Sequence, residues 1–126
     1  MKKISVLFCL LCLGFTRPLF AQESFKWKEM NTFHSTAMLS FHGAEDGKLR
    51  PTRDSAAAML QKAAAWQGSP IPAGKDAAKI KTLLQQLVTE CTAINTAVAA
   101  KKADADIKPL VLKAHHTFHE IIEKAK

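Results

Sequence analysis

Apolar residues recur through residues 76–100 at intervals of four, three, four, three and four: Ile80, Leu84, Leu87, Cys91, Ile94 and Val98. This is one stripe of a helix, sustained for about five turns, and it predicts a helix whose seam is packed inside a bundle. Cys91 lies within that seam and reads as a small buried apolar residue. Residues 51–67 carry a second stripe, Ala56, Met59, Leu60, Ala63 and Trp66, in an alanine-rich stretch of high helix propensity. Proline and glycine punctuate the rest. A first helix is predicted over 24–42, ending at Gly43, and a fourth over 106–124, with Asp106 as N-cap and Pro109 still in the first turn. No segment alternates with the period of a strand. Four such helices joined by short links predict an all-α fold, an antiparallel up-down-up-down four-helix bundle.

The first 21 residues follow a different plan. "MKKISVLFCLLCLGFTRPLFA" has two lysines, an apolar run from Ile4 to Phe15 and a small residue at Ala21. That is the layout of a secretory signal peptide. The run is too short to span a bilayer as a helix. Cys9 and Cys12 lie inside it rather than at a lipoprotein cleavage point. Cleavage after Ala21 and export to the periplasm are therefore expected, with no membrane insertion afterwards. The domains are then 1–21, signal peptide, and 22–126, the bundle. Export removes Lys2, Lys3 and Arg17, so the net charge falls from +7 to +4. The remaining basicity is mild and not interleaved with aromatics, which argues against nucleic acid as a partner. The exported chain keeps one cysteine, Cys91, so no internal disulfide forms and packing supplies the stability.

The chemistry lies with the histidines. His115, His116 and His119 stand in "KAHHTFHEIIEKAK" near the end of the chain. On a helical wheel Met30, Phe33, His34, Ala37 and Phe41 share one arc of the first helix, with His34 near its middle. Met38 and His42 lie toward one edge. In the fourth helix His115 and His119 flank the apolar arc of Ile107, Val111, Ala114, Phe118, Ile122 and Ala125, and His116 points to solvent. Antiparallel packing of the first and last helices sets two rungs, Met30 with His119 and His34 with His115, about 6 Å apart along the axis. Bundle cores build cofactor and metal sites from such facing side chains. Imidazole suits Zn, Cu, Fe and Ni, thioether favours Cu(I), and Met with His is a haem axial set. Glu29, Glu120 and Glu123 read as outward, which argues against a di-iron carboxylate site. "HEIIEK" lacks the second histidine of a zinc-protease motif. His42 and His116 read as ordinary boundary histidines.

"KEMNTFHSTAML" and "AHHTFHEI" resemble the two ends of the cytochrome b-562 family, periplasmic four-helix bundles. Met30 with Thr32 matches its Met-x-Thr pattern, and Phe118 with His119 its aromatic-His pair. The related c-prime cytochromes place Cys-x-x-Cys-His where this chain reads His115-His116-Thr117-Phe118-His119. The last His is kept and both cysteines are absent, so covalent haem attachment is excluded. The resemblance implies haem b with Met30 and His119 as axial ligands. His34 and His115 form an alternative bis-imidazole pair.

Three functions compete. The leading expectation is a periplasmic haem-b-binding protein for electron transfer or haem handling. The second is a copper or zinc carrier using His34, Met38, His115 and His119, two i,i+4 pairs on adjacent helices. The third is a cofactor-free bundle that binds another protein. No nucleophile–base–acid constellation is present, so no enzyme is expected. A redox or metal-handling partner protein is expected, with the chain itself a monomer or weak dimer.

Overall fold

A computed structural model describes residues 27–126; the expected signal peptide lies outside the described residues. Four helices follow in order: α1 Lys28–Glu45, α2 Arg50–Gln67, α3 Ala77–Ala99 and α4 Asp104–Ala125. Among the described residues there is no strand. None of these helices is long and apolar enough to cross a membrane.

Side-chain pairs fix the directions of the helices. Ser40 and Ser55 meet at 2.9 Å beside the α1–α2 turn, while Trp27 Nε1 donates to Ser69 Oγ at the far end of the same pair. On the opposite side of α1, Met30 lies with Ile122 and Ala125, and Phe41 stacks on His115. Gln86 donates to Thr117, and Lys79 and Leu83 lie beside Glu120, Glu123 and Lys124. Each of these neighbours runs against the other. The result is the expected four-helix bundle, in which α1 and α4 are the loosest of the four neighbouring pairs.

The stripes bury as their periods require. Ile80, Leu84, Leu87, Cys91 and Ile94 of α3 are inaccessible, as are Ala56, Met59, Ala63 and Trp66 of α2. Trp66 sits among Phe33, Phe118 and Trp27, with ring centroids 5.4 to 6.0 Å away. Such tilted and edge-on contacts suit the quadrupoles of aromatic rings.

Three boundaries depart from the sequence pattern, each for a local reason. Trp27 is extended and caps α1, so the helix starts at Lys28 rather than at 24. Gly43 does not stop α1. It lies inside the helix, where a Cβ would meet the Lys48 carbonyl oxygen at 2.7 Å; the turn itself uses Gly47, at φ +74°. At the other end, α4 begins at Asp104, with Ala103 as N-cap, so Pro109 stands in the second turn. Arg53 of α2 anchors that start: its guanidinium donates to the Lys102 carbonyl at 2.8 Å and to Asp104 at 2.6 Å. A tertiary contact thus overrides the capping preference of Asp106. Asp76 caps α3 as its residue type suggests, accepting from the Lys79 N–H.

Candidate functional site

The flank of α1 that faces α4 carries His34, Met38, His42 and Glu45, spaced four, four and three residues apart and so sharing one stripe. His34 is exposed, not central to the apolar arc as the wheel suggested. Ser40 and Ala44 are also buried, and they turn the inward face of α1 toward α2. That rotation leaves His34 at the edge of the core. Met38 is 41% exposed.

On α4 the matching flank carries His115 and His119. Their Nε2 atoms lie 2.9 Å apart. One ring donates and the other accepts, so the pair requires at least one neutral imidazole with a lone pair on Nε2. His115 is the hub. Phe41 stacks on its ring at 4.5 Å between centroids and 15° between planes. Its Nδ1 stands 3.3 Å from Glu45 Oε1. The His42 ring meets it edge-on at 6.0 Å. Partial burial holds the His115 pKa below the ordinary imidazole value, and the neighbouring His119 adds to this. Glu45 pulls the other way, and His42 and His34 add smaller depressions. His34 stacks on Phe118 at 5.1 Å. His116 points to solvent as expected and lies 3.2 Å from Glu120.

The levels differ from the expected rungs. His115 faces Phe41, His42 and Glu45, whereas His34 faces Phe118 and Met30 faces Ile122 and Ala125. The offset of His115 from His34 to Phe41 is seven positions, about 10 Å of helical rise. Counting the rungs from a helix start at 24 placed Met30 too deep in α1. With the helix starting at Lys28, Met30 is in its first turn.

A cleft of about 100 Å³ opens between the N-terminal end of α1 and the C-terminal end of α4, lined by Met30, His34, Phe118 and Ile122 among others. His119 does not line it. Pockets that enclose cofactors measure roughly 300–1,000 Å³. The space inward of this cleft is filled by Phe118, Phe33 and Trp66. A porphyrin bridging Met30 and His119 does not fit without displacing that aromatic packing.

Among the described residues, no three His, Cys, Asp or Glu side chains stand already gathered to hold a metal ion. Two do approach as a chelating pair. Ligand bonds of roughly 2.0–2.1 Å in a tetrahedral site separate two nitrogens by about 3.3 Å, close to the spacing of His115 and His119. Neither His42 nor Glu45 was expected at the site. The signal for them was present in the 34, 38, 42, 45 spacing, of which the wheel placed Met38 and His42 at an edge.

A second polar group lies on the other flank of α4. Glu90 of α3 is buried; its Oε1 accepts from Thr117 Oγ1 at 3.0 Å and Gln86 Nε2 at 2.9 Å. Beside it the buried Cys91 thiol is pushed up to about 12 by burial and by the Glu90 carboxylate. Such a thiol is unreactive at neutral pH.

Compared with known proteins, the chain matches no family model, and neither a curated protein nor a solved structure matches it.

Proposed function

We propose that this protein binds a transition-metal ion, copper or zinc, on the α1–α4 seam, and acts in the cell envelope as a metal carrier or buffer rather than as an enzyme. The observation that carries this reading is the 2.9 Å approach of the two Nε2 atoms of His115 and His119. An i,i+4 imidazole pair on one helix presents two borderline donors to a single ion. The pair lies on the least closely packed seam of the bundle, so an ion reaches it from solvent without disrupting the core. The facing flank of α1 offers candidate further donors, which their contacts with His115 tell apart. Export through residues 1–21 would deliver the chain to a compartment where metals are exchanged.

Haem b held between α1 and α4 is the second reading. The apolar cleft with Met30 and His34 on its wall favours it. It requires the seam to open and Phe118 to move.

Titration of the purified protein with Zn(II), Cu(II), reduced copper and haemin separates these readings. Metal binding predicts about one ion per chain, lost in His119→Ala and retained in His116→Ala. Haem predicts a red protein with sharp visible bands on reduction. If no ligand is taken up and none shifts the melting temperature, the metal and haem readings both fall, and a bundle that binds another protein is left.

A further inference from the structure

The stripe on α1 contains more donors than one ion needs, and their contacts with His115 distinguish them. Glu45 lies against Nδ1 of His115, at 3.3 Å. The negative charge there favours the tautomer with the proton on Nδ1 and puts a lone pair on Nε2, which accepts from His119 until an ion takes that proton's place. This is the arrangement by which outer carboxylates orient metal-bound histidines. Phe41, stacked on the ring, fixes its plane from the other side. The His115 Nε2 therefore points where His119 Nε2 also points.

Ring spacing identifies a third donor. In a tetrahedral site, a bond of roughly 2.0–2.1 Å plus the depth of the ring places imidazole centroids about 5 Å apart. His115 and His119 have centroids 4.5 Å apart, and His115 and His42 6.0 Å. These values bracket that spacing. His42 is exposed in the last turn of α1, so its side chain rotates without disturbing the core. His34 instead rests on Phe118 beside the cleft, nearer the start of α1.

Resting on the metal reading above, we infer that His42 completes a three-histidine site with His115 and His119 for a divalent ion of the Zn(II) class, and that Glu45 is its positioning residue. The donors are three imidazoles with an open fourth position for water or an exchanging ligand, and the ion bridges α1 and α4 near the α1–α2 turn. An all-nitrogen set with a carboxylate behind it suits a divalent borderline ion better than Cu(I), which thioether donors select. Met38 and His34 are then bystanders.

Zn(II) affinity, measured by competition with a chromophoric chelator, tests the assignment on the purified protein. His42→Ala weakens binding at least tenfold, and Glu45→Gln weakens it about ten- to a hundredfold, the range found for outer-shell partners. Glu45→Asp restores part of the loss. His34→Ala and Met38→Leu stay within about twofold of the parent. Glu45→Gln leaves the melting temperature of the metal-free protein unchanged, but nitrogen chemical shifts of His115 report loss of the Nδ1–H tautomer. Parent-like Zn(II) binding by His42→Ala and Glu45→Gln overturns the inference and leaves metal binding standing, as does a loss confined to His34→Ala or Met38→Leu. A parent protein that takes up no Zn(II) overturns this inference together with the metal reading.

Discussion

Helix α4 borders two seams of opposite character. Toward α3 it presents Thr117, whose hydroxyl is tied to Glu90 and Gln86 within a closely packed interface beside a buried thiol. Toward α1 it presents His115 and His119, half-buried and exposed, across a looser interface with more imidazoles on the far side. Both seams hold polar side chains, but under different constraints. A buried polar group must find a partner within the fold or cost free energy, and on the α3 seam Glu90 Oε1 finds Thr117 and Gln86. On the α1 seam the half-buried and exposed imidazoles lean on each other and on Glu45 at the surface, within reach of an ion from solvent. Polar residues of the first kind specify the packing, and those of the second kind are free to act.

The largest loss is expected at Phe118, which backs the open seam. It is 2% exposed and touches Phe33, Phe41, Trp66 and His34. Phe118→Ala is expected to cost about 3–5 kcal/mol, the range for removing a large buried ring, as read from urea unfolding. Thr117→Val tests the closed seam alone. It removes one of the two donors to Glu90 Oε1 within a buried site and is expected to cost about 1–3 kcal/mol. His119→Ala tests the open seam and is expected to shift the stability of the metal-free protein by no more than about 0.5 kcal/mol, as an exposed substitution does. Equal losses from Thr117→Val and His119→Ala would erase the distinction between the seams.

Two titrations sharpen it further. Cys91 is held far above its ordinary value of 9.0, so the folded chain keeps a proton that the unfolded chain releases. Stability is therefore expected to fall as pH rises from about 9 toward 12, and iodoacetamide at neutral pH should leave the native thiol unmodified. His115 runs the other way. Its folded pKa lies below the ordinary 6.5, so the unfolded chain takes up the proton more readily. Its contribution is complete above about 6.5 and is lost as pH falls through that value toward the lower folded one. In His115→Gln that acid slope should shrink, as followed by urea unfolding between pH 7.5 and 5.

Much of this fold is legible in the sequence because apolar period is a strong signal. Both stripes are buried as their spacing requires except at Val98 and Leu60, which are half-buried, and Pro51 and Asp76 mark helix starts near where they are found. Register between helices is less legible. It depends on where α1 begins, which Trp27 decides through a hydrogen bond to Ser69, forty-two residues away. The rotation of α1 depends on Ser40 pairing with Ser55, a contact that no wheel of α1 alone contains. These two long-range contacts moved His34 out of the core and brought His42 and Glu45 to His115. The histidines of α4 were legible because four residues is one helical turn, an interval set within the helix itself.

The central claim is that the Nε2 pair on the open seam is a metal site. It is tested most directly by the melting temperature of the parent protein and of His119→Ala, each with and without Zn(II). At free Zn(II) about a hundredfold above its Kd, linkage predicts that the parent gains about 2.7 kcal/mol. That raises its melting temperature by on the order of 10–20 °C for a domain of this size, while His119→Ala does not move. A parent that melts at the same temperature with and without the ion, or a shift equal in both proteins, would contradict the account.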